Sequence, residues 1–345
     1  MSWTVVPASQ FMAHAERWRE LHARGAASPL LAVEFVASLL EVFASGRELL
    51  AWHDSGGQTD AMTILTPVRF GAWNTFQPAQ APVGIWLQCD DTAATTRLTG
   101  LFQALPFPAL ALGLTQCDPQ LTARPAITPA TRVLDYIDTA RVTIAGQFDA
   151  YWAGRGKNLR NNLKKQRRTL TDDGVATRLE ILRAPAEMAA AIADYGILES
   201  TGWKGSNGTA VAADNAQGSF YRALLEGFAT RGAASVYRYW IGEKVAAMDL
   251  CVEGGGCIVV LKTAYDETLP RQLSPALLMR EEAVCQLFDE KRFERIEFYG
   301  RVMEWHLRWT DEVRTMFHLN AYRWPTLAAL HQRYRPTVQA TDTAL

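Results

Sequence analysis

The chain has 345 residues, 48% hydrophobic and 21% charged, with 35 basic and 36 acidic side chains. This is a globular composition of a length that suits two domains, and a net charge of −1 offers no global attraction for nucleic acid or an anionic membrane. The five cysteines, Cys89, Cys117, Cys251, Cys257 and Cys285, are odd in number and scattered, which fits neither a disulfide framework nor a zinc site. No apolar run reaches the length of a membrane span and the first ten residues lack a signal-peptide pattern, so a soluble protein of the reducing cytoplasm is expected.

In chain order, WTVVPA (3–8) reads as a strand. Helical patterns follow at about 9–24 and 29–45, the second opened by Ser28-Pro29. ELLAWH (48–53), AMTILTPVRF (61–70) and VGIWLQ (83–88) read as strands, 92–104 as a helix and ALALGL (109–114) as another strand. The connection after 83–88, Cys89-Asp90-Asp91-Thr92, is acidic and without glycine, a poor cradle for phosphate.

Between the halves, Phe148, Trp152, Leu159, Leu163 and Leu170 share one helical face over 147–173. Arg155, Lys157, Arg160, Lys164, Lys165, Arg167 and Arg168 crowd the remainder. Such a run is either a solvated face or a patch for a phosphate, a CoA tail, an anionic glycan or RNA. The absence of interleaved exposed aromatics argues against nucleic acid.

The second half is clearer. TRLEILR (177–183) alternates as a strand. Pro185 opens a helix whose inward stripe is Met188, Ile192 and Tyr195, with Glu199 falling on the same stripe. A loop at 201–209 carries Trp203 and Lys204, and Asp214 is placed to cap a helix buried through Phe220, Leu224, Leu225 and Phe228. The strands 234–241, 244–252 and 257–265 are joined by tight glycine turns into a meander. A helix at about 275–290, a strand at 295–300, a segment with Trp305 and Trp309, and a closing strand at 315–324 complete the unit. The expected organisation is an N-terminal unit (1–145), a basic linking helix (146–175), a C-terminal unit (176–335) and a disordered tail (336–345).

Four segments, K-N-L-R-N-N-L-K-K-Q-R-R-x-L (157–170), E-S-T-G-W-K-G (199–205), L-K-T-A-Y-D-E (261–267) and S-P-A-L-L (274–278), resemble the CelD/BcsL-like family of GNAT acyltransferases over roughly 145–310. The order β-α-α-β-β-β-α-β-α-β is also the GNAT topology, and the first half repeats it faintly. The fold expected is therefore α/β, a mixed α+β sheet in two tandem GNAT-like units, the first with its cofactor site lost. The resemblance extends to the FemAB group, whose members carry two such units and transfer aminoacyl groups. It implies transfer of an acyl group other than aminoacyl from acyl-CoA to an amine or hydroxyl, on a small molecule or a glycan, in exopolysaccharide or cell-envelope biosynthesis. A FemAB-like transferase using aminoacyl-tRNA, and a non-catalytic binding or assembly subunit, stand as alternatives.

Acyl transfer needs a phosphate cradle, a group to take the nucleophile's proton and stabilisation of the oxyanion and the departing thiolate. GNAT proteins carry Arg/Gln-x-x-Gly-x-Gly/Ala at the cradle. This chain has Arg271-Gln272-Leu273-Ser274-Pro275-Ala276, so Ser274 replaces a glycine and Pro275 lacks an N–H. Arg271 and the N–H groups of Ser274, Ala276 and Leu277 are the expected cofactor contacts, unless the segment is only a proline-started helix.

Asp249 and Lys262 interrupt apolar strands, where an unpartnered charge is costly. They read either as a structural ion pair or as a general base with a residue that positions the acceptor. Glu199 is a second candidate base, Tyr265 a proton donor to the leaving thiolate, and His306 an acid or base or a structural residue. Trp203, Lys204, Asp266, Tyr299 and Trp309 are candidate acceptor contacts. No HExxH, Walker loop or nucleophile elbow is present, so no metal is expected.

Overall fold

A computed structural model describes residues 2–90, 92–201, 211–212 and 215–334. Trp203, Lys204, Asp214 and the tail from 335 lie outside the described residues. The chain forms two compact units, Met1–Thr139 with Arg314–Leu345, and Ala140–Val313.

The first unit begins with β1 (Ser2–Pro7) and the helices Ala15–Arg24 and Val33–Phe43. A meander of β2 (Leu49–Ser55), β3 (Gln58–Arg69) and β4 (Ala72–Thr75) follows, with the short β5 (Trp86–Gln88) paired to β3. The helix Thr95–Ala104 then leads into β6 (Ala111–Cys117), which returns parallel to β4. Of β7 (Thr131–Thr143), the residues to Thr139 belong here.

The second unit repeats the scheme. Its elements are β8 (Thr177–Leu182), the helices Pro185–Thr201 and Ala216–Ala229, and the antiparallel meander β9 (Ala234–Ile241), β10 (Lys244–Gly254) and β11 (Cys257–Tyr265). The helix Pro275–Glu290 leads into β12 (Arg295–Phe298), parallel to β11. The last four residues of β7, Ala140–Thr143, flank β12. Both units are thus mixed sheets with the same element order, as the sequence leads one to expect.

Local chemistry accounts for the elements. Proline opens the helices at 185 and 275, where its missing N–H costs nothing. The meander turns use Gly242 and Gly256 at φ +60° and +70°, which a Cβ would oppose. Met188, Ile192 and Tyr195 are buried, as are Phe220, Leu224, Leu225 and Phe228. Asn215 caps the second of these helices, accepting from the Gly218 N–H at 2.9 Å.

Three expectations are corrected. The closing strand, observed as β13 (Val313–Tyr322), belongs with the first unit: it pairs antiparallel with β6, and Arg314 donates two hydrogen bonds to Asp118 at 3.0 and 2.7 Å. A strand's hydrophobic pattern does not name its partner strand, so sequence could not show this. The unit boundary lies at 139/140 rather than near 145, within β7, a strand that sequence reading missed. The basic segment is not a linker. It breaks at Gly154-Arg155-Gly156 into the helices Phe148–Ala153 and Lys157–Asp172, and Leu159, Leu163 and Leu170 join the core of the second unit. No helix among the described residues is long and apolar enough to cross a membrane.

Asp118 is 1% exposed, so replacing Arg314 removes the counter-charge that its two hydrogen bonds bring to a buried carboxylate. Arg314→Met is expected to destabilise the protein by about 3–5 kcal/mol, read as a lowered denaturant midpoint. Asp118→Asn in the same chain is expected to recover part of that loss.

Candidate active site

The site grows from one irregularity in β11. Its parallel pairing with β12 runs only from Cys257–Val260 against Arg295–Phe298. The pairing with β10 shifts at the same point, where Cys251 faces Val260 and Leu250 faces Lys262, leaving Leu261 as a bulge. A bulge bends the strand that carries it. β11 continues to Tyr265 while β12 ends at Phe298. Over 261–265, no described strand pairs with the edge of β11 turned away from β10.

Beside this edge lies a cleft of about 910 Å³, bounded by the end of β11 and the start of the helix Pro275–Glu290. It brings together Tyr265, Asp266, Arg271, Ser274, Ala276 and Leu277, all singled out from sequence, and adds Thr263, Arg280 and Trp305. Tyr265 is 46% exposed and Arg271 is exposed. Asp266 accepts from the Thr268 N–H and hydroxyl at 2.8 and 2.6 Å, which fixes the turn after β11.

The expected N–H cradle is partly occupied. The Ser274 N–H donates to Gln166 Oε1 at 2.8 Å, and the Leu277 N–H donates back to the Ser274 carbonyl at 2.9 Å. The Ala276 N–H lies in the first turn, where no carbonyl of its own helix precedes it. An anion at this helix start would displace the Gln166 amide.

Asp249 and Lys262 do not pair. The register sets Asp249 opposite Thr263 and Lys262 opposite Leu250, and a one-residue offset puts two side chains on opposite faces. Asp249 is instead held by Arg280, whose Nη2 donates at 2.9 and 2.7 Å, with the Thr263 hydroxyl donating to the same carboxylate. Both members are nearly fully buried. The Arg280 guanidinium also lies 4.6 Å from the Trp305 ring and 5.1 Å from Phe298. On the other face, Lys262 Nζ lies 3.1 and 3.3 Å from the Glu199 carboxylate, which also accepts from the Val211 N–H at 2.7 Å. Burial, and then the Glu199 charge, push the Tyr195 and Tyr221 phenols up, so both stay protonated.

Two other candidates fall to structural roles. Trp309 is 0% exposed, packed on Trp152 at 5.5 Å, and its carbonyl accepts from Tyr151 and Arg155. A residue so enclosed does not meet an acceptor. His306 is buried, stacks on Trp305 at 3.5 Å, and accepts the Met303 N–H at Nδ1. Burial, and then the Arg280 charge, lower its pKa to about 4. It is neutral near pH 7 and ties down the short helix Glu304–Leu307. Tyr299 is partly buried and does not line the cleft.

The basic helix is also more occupied than its composition suggests. Arg167 donates to Glu281, to Glu282, to the Tyr239 hydroxyl and to the Leu278 carbonyl; burial opposes its charge, but Glu281, Tyr239 and Glu282 outweigh it and raise its pKa. Arg155 bonds the Trp309 carbonyl. Lys157, Lys164, Lys165 and Arg168 remain exposed.

Sequence reasoning missed Arg280, Thr263 and Gln166. For Arg280 a signal existed: it falls on the buried stripe of its helix with Ala283, Val284 and Leu287. Gln166 gave none.

In the first unit the corresponding place is closed. The β4–β6 pairing ends at Asn74/Gly113. Beyond it, the Thr115 N–H donates to Thr75 Oγ1 and the Gly84 N–H donates to the Thr115 carbonyl, both at 3.0 Å. A Cβ on Gly84 would collide with Thr75 Oγ1 and the Thr115 oxygen, so the chain's own backbone fills the gap.

Residues 157–307 match the family described as "Acetyltransferase (GNAT) domain". No curated protein matches the chain. Among solved structures, FemX is similar at 9% identity, covering 91% of this chain and 97% of that one, with a TM-score of 0.57. The C-terminal domain of an Agrobacterium fabrum protein assigned as a lysylphosphatidylglycerol synthetase is similar at 13% identity, covering 93% and 95%, with a TM-score of 0.56. A conserved protein of unknown function from Bacteroides thetaiotaomicron is similar at 12% identity, covering 89% and 97%, with a TM-score of 0.55. At these identities the likeness is one of fold.

The His306 pKa, near 4 when folded, lies below the 6.5 of an exposed histidine. Below pH 6.5 the unfolded chain therefore takes up a proton that the folded protein refuses, and stability falls as pH drops through this window. The His306 ring is expected to titrate near pH 4 by imidazole NMR, and His306→Gln to flatten the acid limb of the stability profile. A ring midpoint near 6.5 would contradict the assigned environment.

Proposed function

We propose that the second unit is an acyltransferase that moves an acyl group from acyl-CoA to an amine or hydroxyl, with the cleft between β11 and the helix Pro275–Glu290 as the donor site. The observation that carries this reading is the open edge of β11 over 261–265, ending at a helix start beside Arg271. An extended pantetheine arm carries amides that match such an edge. A pyrophosphate suits a helix N-terminus with an arginine next to it. The GNAT domain match over 157–307 supports the same chemistry.

The roles follow from position. The Ala276 N–H and Arg271 hold the pyrophosphate, with the Ser274 N–H joining when the Gln166 amide gives way. The acceptor nitrogen or oxygen attacks the thioester carbonyl, the C–S bond breaks, and the thiolate takes a proton. Tyr265, half-exposed at the cleft, donates that proton. Asp249 is a poor choice of base, because Arg280 and Thr263 take up its oxygens. Glu199 is engaged in the same way, by Lys262 and the Val211 N–H on the other face of β11, so the acceptor's proton leaves to solvent. A small molecule or a glycan of the kind handled by CelD/BcsL-like proteins is the acceptor class. The pairing of Arg167 and Arg155 with acids and carbonyls of the second unit leaves less unengaged basic surface for an RNA than the FemAB-like alternative needs.

Isothermal titration with CoA is expected to show micromolar binding that Arg271→Ala weakens by roughly tenfold, the value of one charge-assisted contact. Tyr265→Phe is expected to keep that binding and to lower kcat by about a hundredfold, as for loss of a general acid. Failure of any CoA or acyl-CoA to bind would overturn the reading.

A further inference from the structure

One end of the first unit's sheet carries bare apolar side chains that the catalytic reading does not use. Phe70 and Phe107 are 84% and 88% exposed, Ile127 is 74% and Trp324 is 49%. Each sits on a loop at the same end of four neighbouring strands. Phe70 precedes β4, Phe107 precedes β6, Trp324 follows β13, and Ile127 precedes β7. The strand order is β4-β6-β13-β7.

Three backbone hydrogen bonds link the loops in that order. The Leu110 N–H donates to the Gly71 carbonyl at 2.7 Å, the Arg323 N–H to Leu110 at 2.9 Å, and the Tyr322 N–H to Ala130 at 2.8 Å. The four loops are thus held side by side by the sheet itself. Rings this exposed cost free energy in water, and a contiguous set of them marks a contact surface.

The charged side chains within the four loops themselves are all basic. The segments 66–72, 104–110, 122–130 and 322–330 contain Arg69, Arg124 and Arg323 and no aspartate or glutamate. Arg69 is exposed, Arg124 pairs with Asp135, and Arg323 bonds the carbonyls of Phe102 and Ala109. A groove of about 550 Å³ runs beside Trp324, lined by Thr128, Ala130 and Arg323, but Phe70, Phe107 and Ile127 stand outside it and form no groove of their own. A bilayer needs none: aromatic rings enter the headgroup boundary singly while arginines meet the phosphates.

We infer that this rim docks the first unit on an anionic lipid surface, with Phe70 and Phe107 as the inserting residues. The contact is peripheral, and it is local: the net charge of −1 hides it. It is also independent of the donor cleft, which belongs to the second unit.

The test is co-sedimentation of the full chain with vesicles of phosphatidylcholine alone and of phosphatidylcholine mixed with phosphatidylglycerol. Binding to the mixed vesicles is expected, weaker binding to the neutral ones, and about a tenfold loss of partitioning for Phe70→Ser with Phe107→Ser. Both rings are exposed, so the double variant should melt as the wild type does and keep its CoA binding. Absence from the mixed-vesicle pellet, or full binding by the double variant, would overturn the inference. A dimer in light scattering that the double variant abolishes would assign the rim to self-association and overturn it equally.

Discussion

The buried pair of Asp249 and Arg280 is the interaction on which the second unit's site depends. It ties the helix Pro275–Glu290 to the middle of the sheet, with Thr263 of β11 bonded to the same carboxylate. Trp305 and Phe298 lie on the guanidinium. A charge pair this enclosed needs near-complete hydrogen bonding to offset its desolvation. The geometry it imposes sets the width of the cleft between helix and strand. The bulge at Leu261 acts with it: the strand bends away from β12 just where the helix start must approach.

The same topology, built twice, reaches two outcomes. In the second unit the strands part after Val260 and leave an open edge. In the first unit the matching gap is stitched by Thr75, Thr115 and the backbone of Gly84. A glycine is required there because any side chain would strike its neighbours. One unit therefore keeps an open cleft beside its strand edge, and in the other the matching place is filled by backbone.

Much of this was legible from residue patterns. Met188, Ile192 and Tyr195, spaced for one helical face, are buried, and the proline-opened helix begins at Pro275. The segment from Arg271 to Leu277 was singled out because it stands where GNAT proteins carry their phosphate cradle, and it lines one cleft with Tyr265. What stayed hidden depends on register and on distant pairing. Asp249 and Lys262 look like partners on adjacent strands, but a one-residue offset separates their faces. β13 gave no sign that its partner is β6, which lies some two hundred residues earlier in the chain. Trp309 and His306 read as site residues because aromatic and titratable side chains look alike whether they line a cleft or fill a core. The exposed Phe70 and Phe107 escaped notice because an apolar residue between prolines and glycines carries no mark of facing water.

The role of the second unit turns on where the acyl donor binds. A photoreactive acyl-CoA, cross-linked to the full chain and mapped by mass spectrometry, reads this directly. One label per chain, confined to the segment from Thr263 to Leu277, is the predicted result. Labelling around Gly84 and Thr115, or two labels per chain, would contradict it.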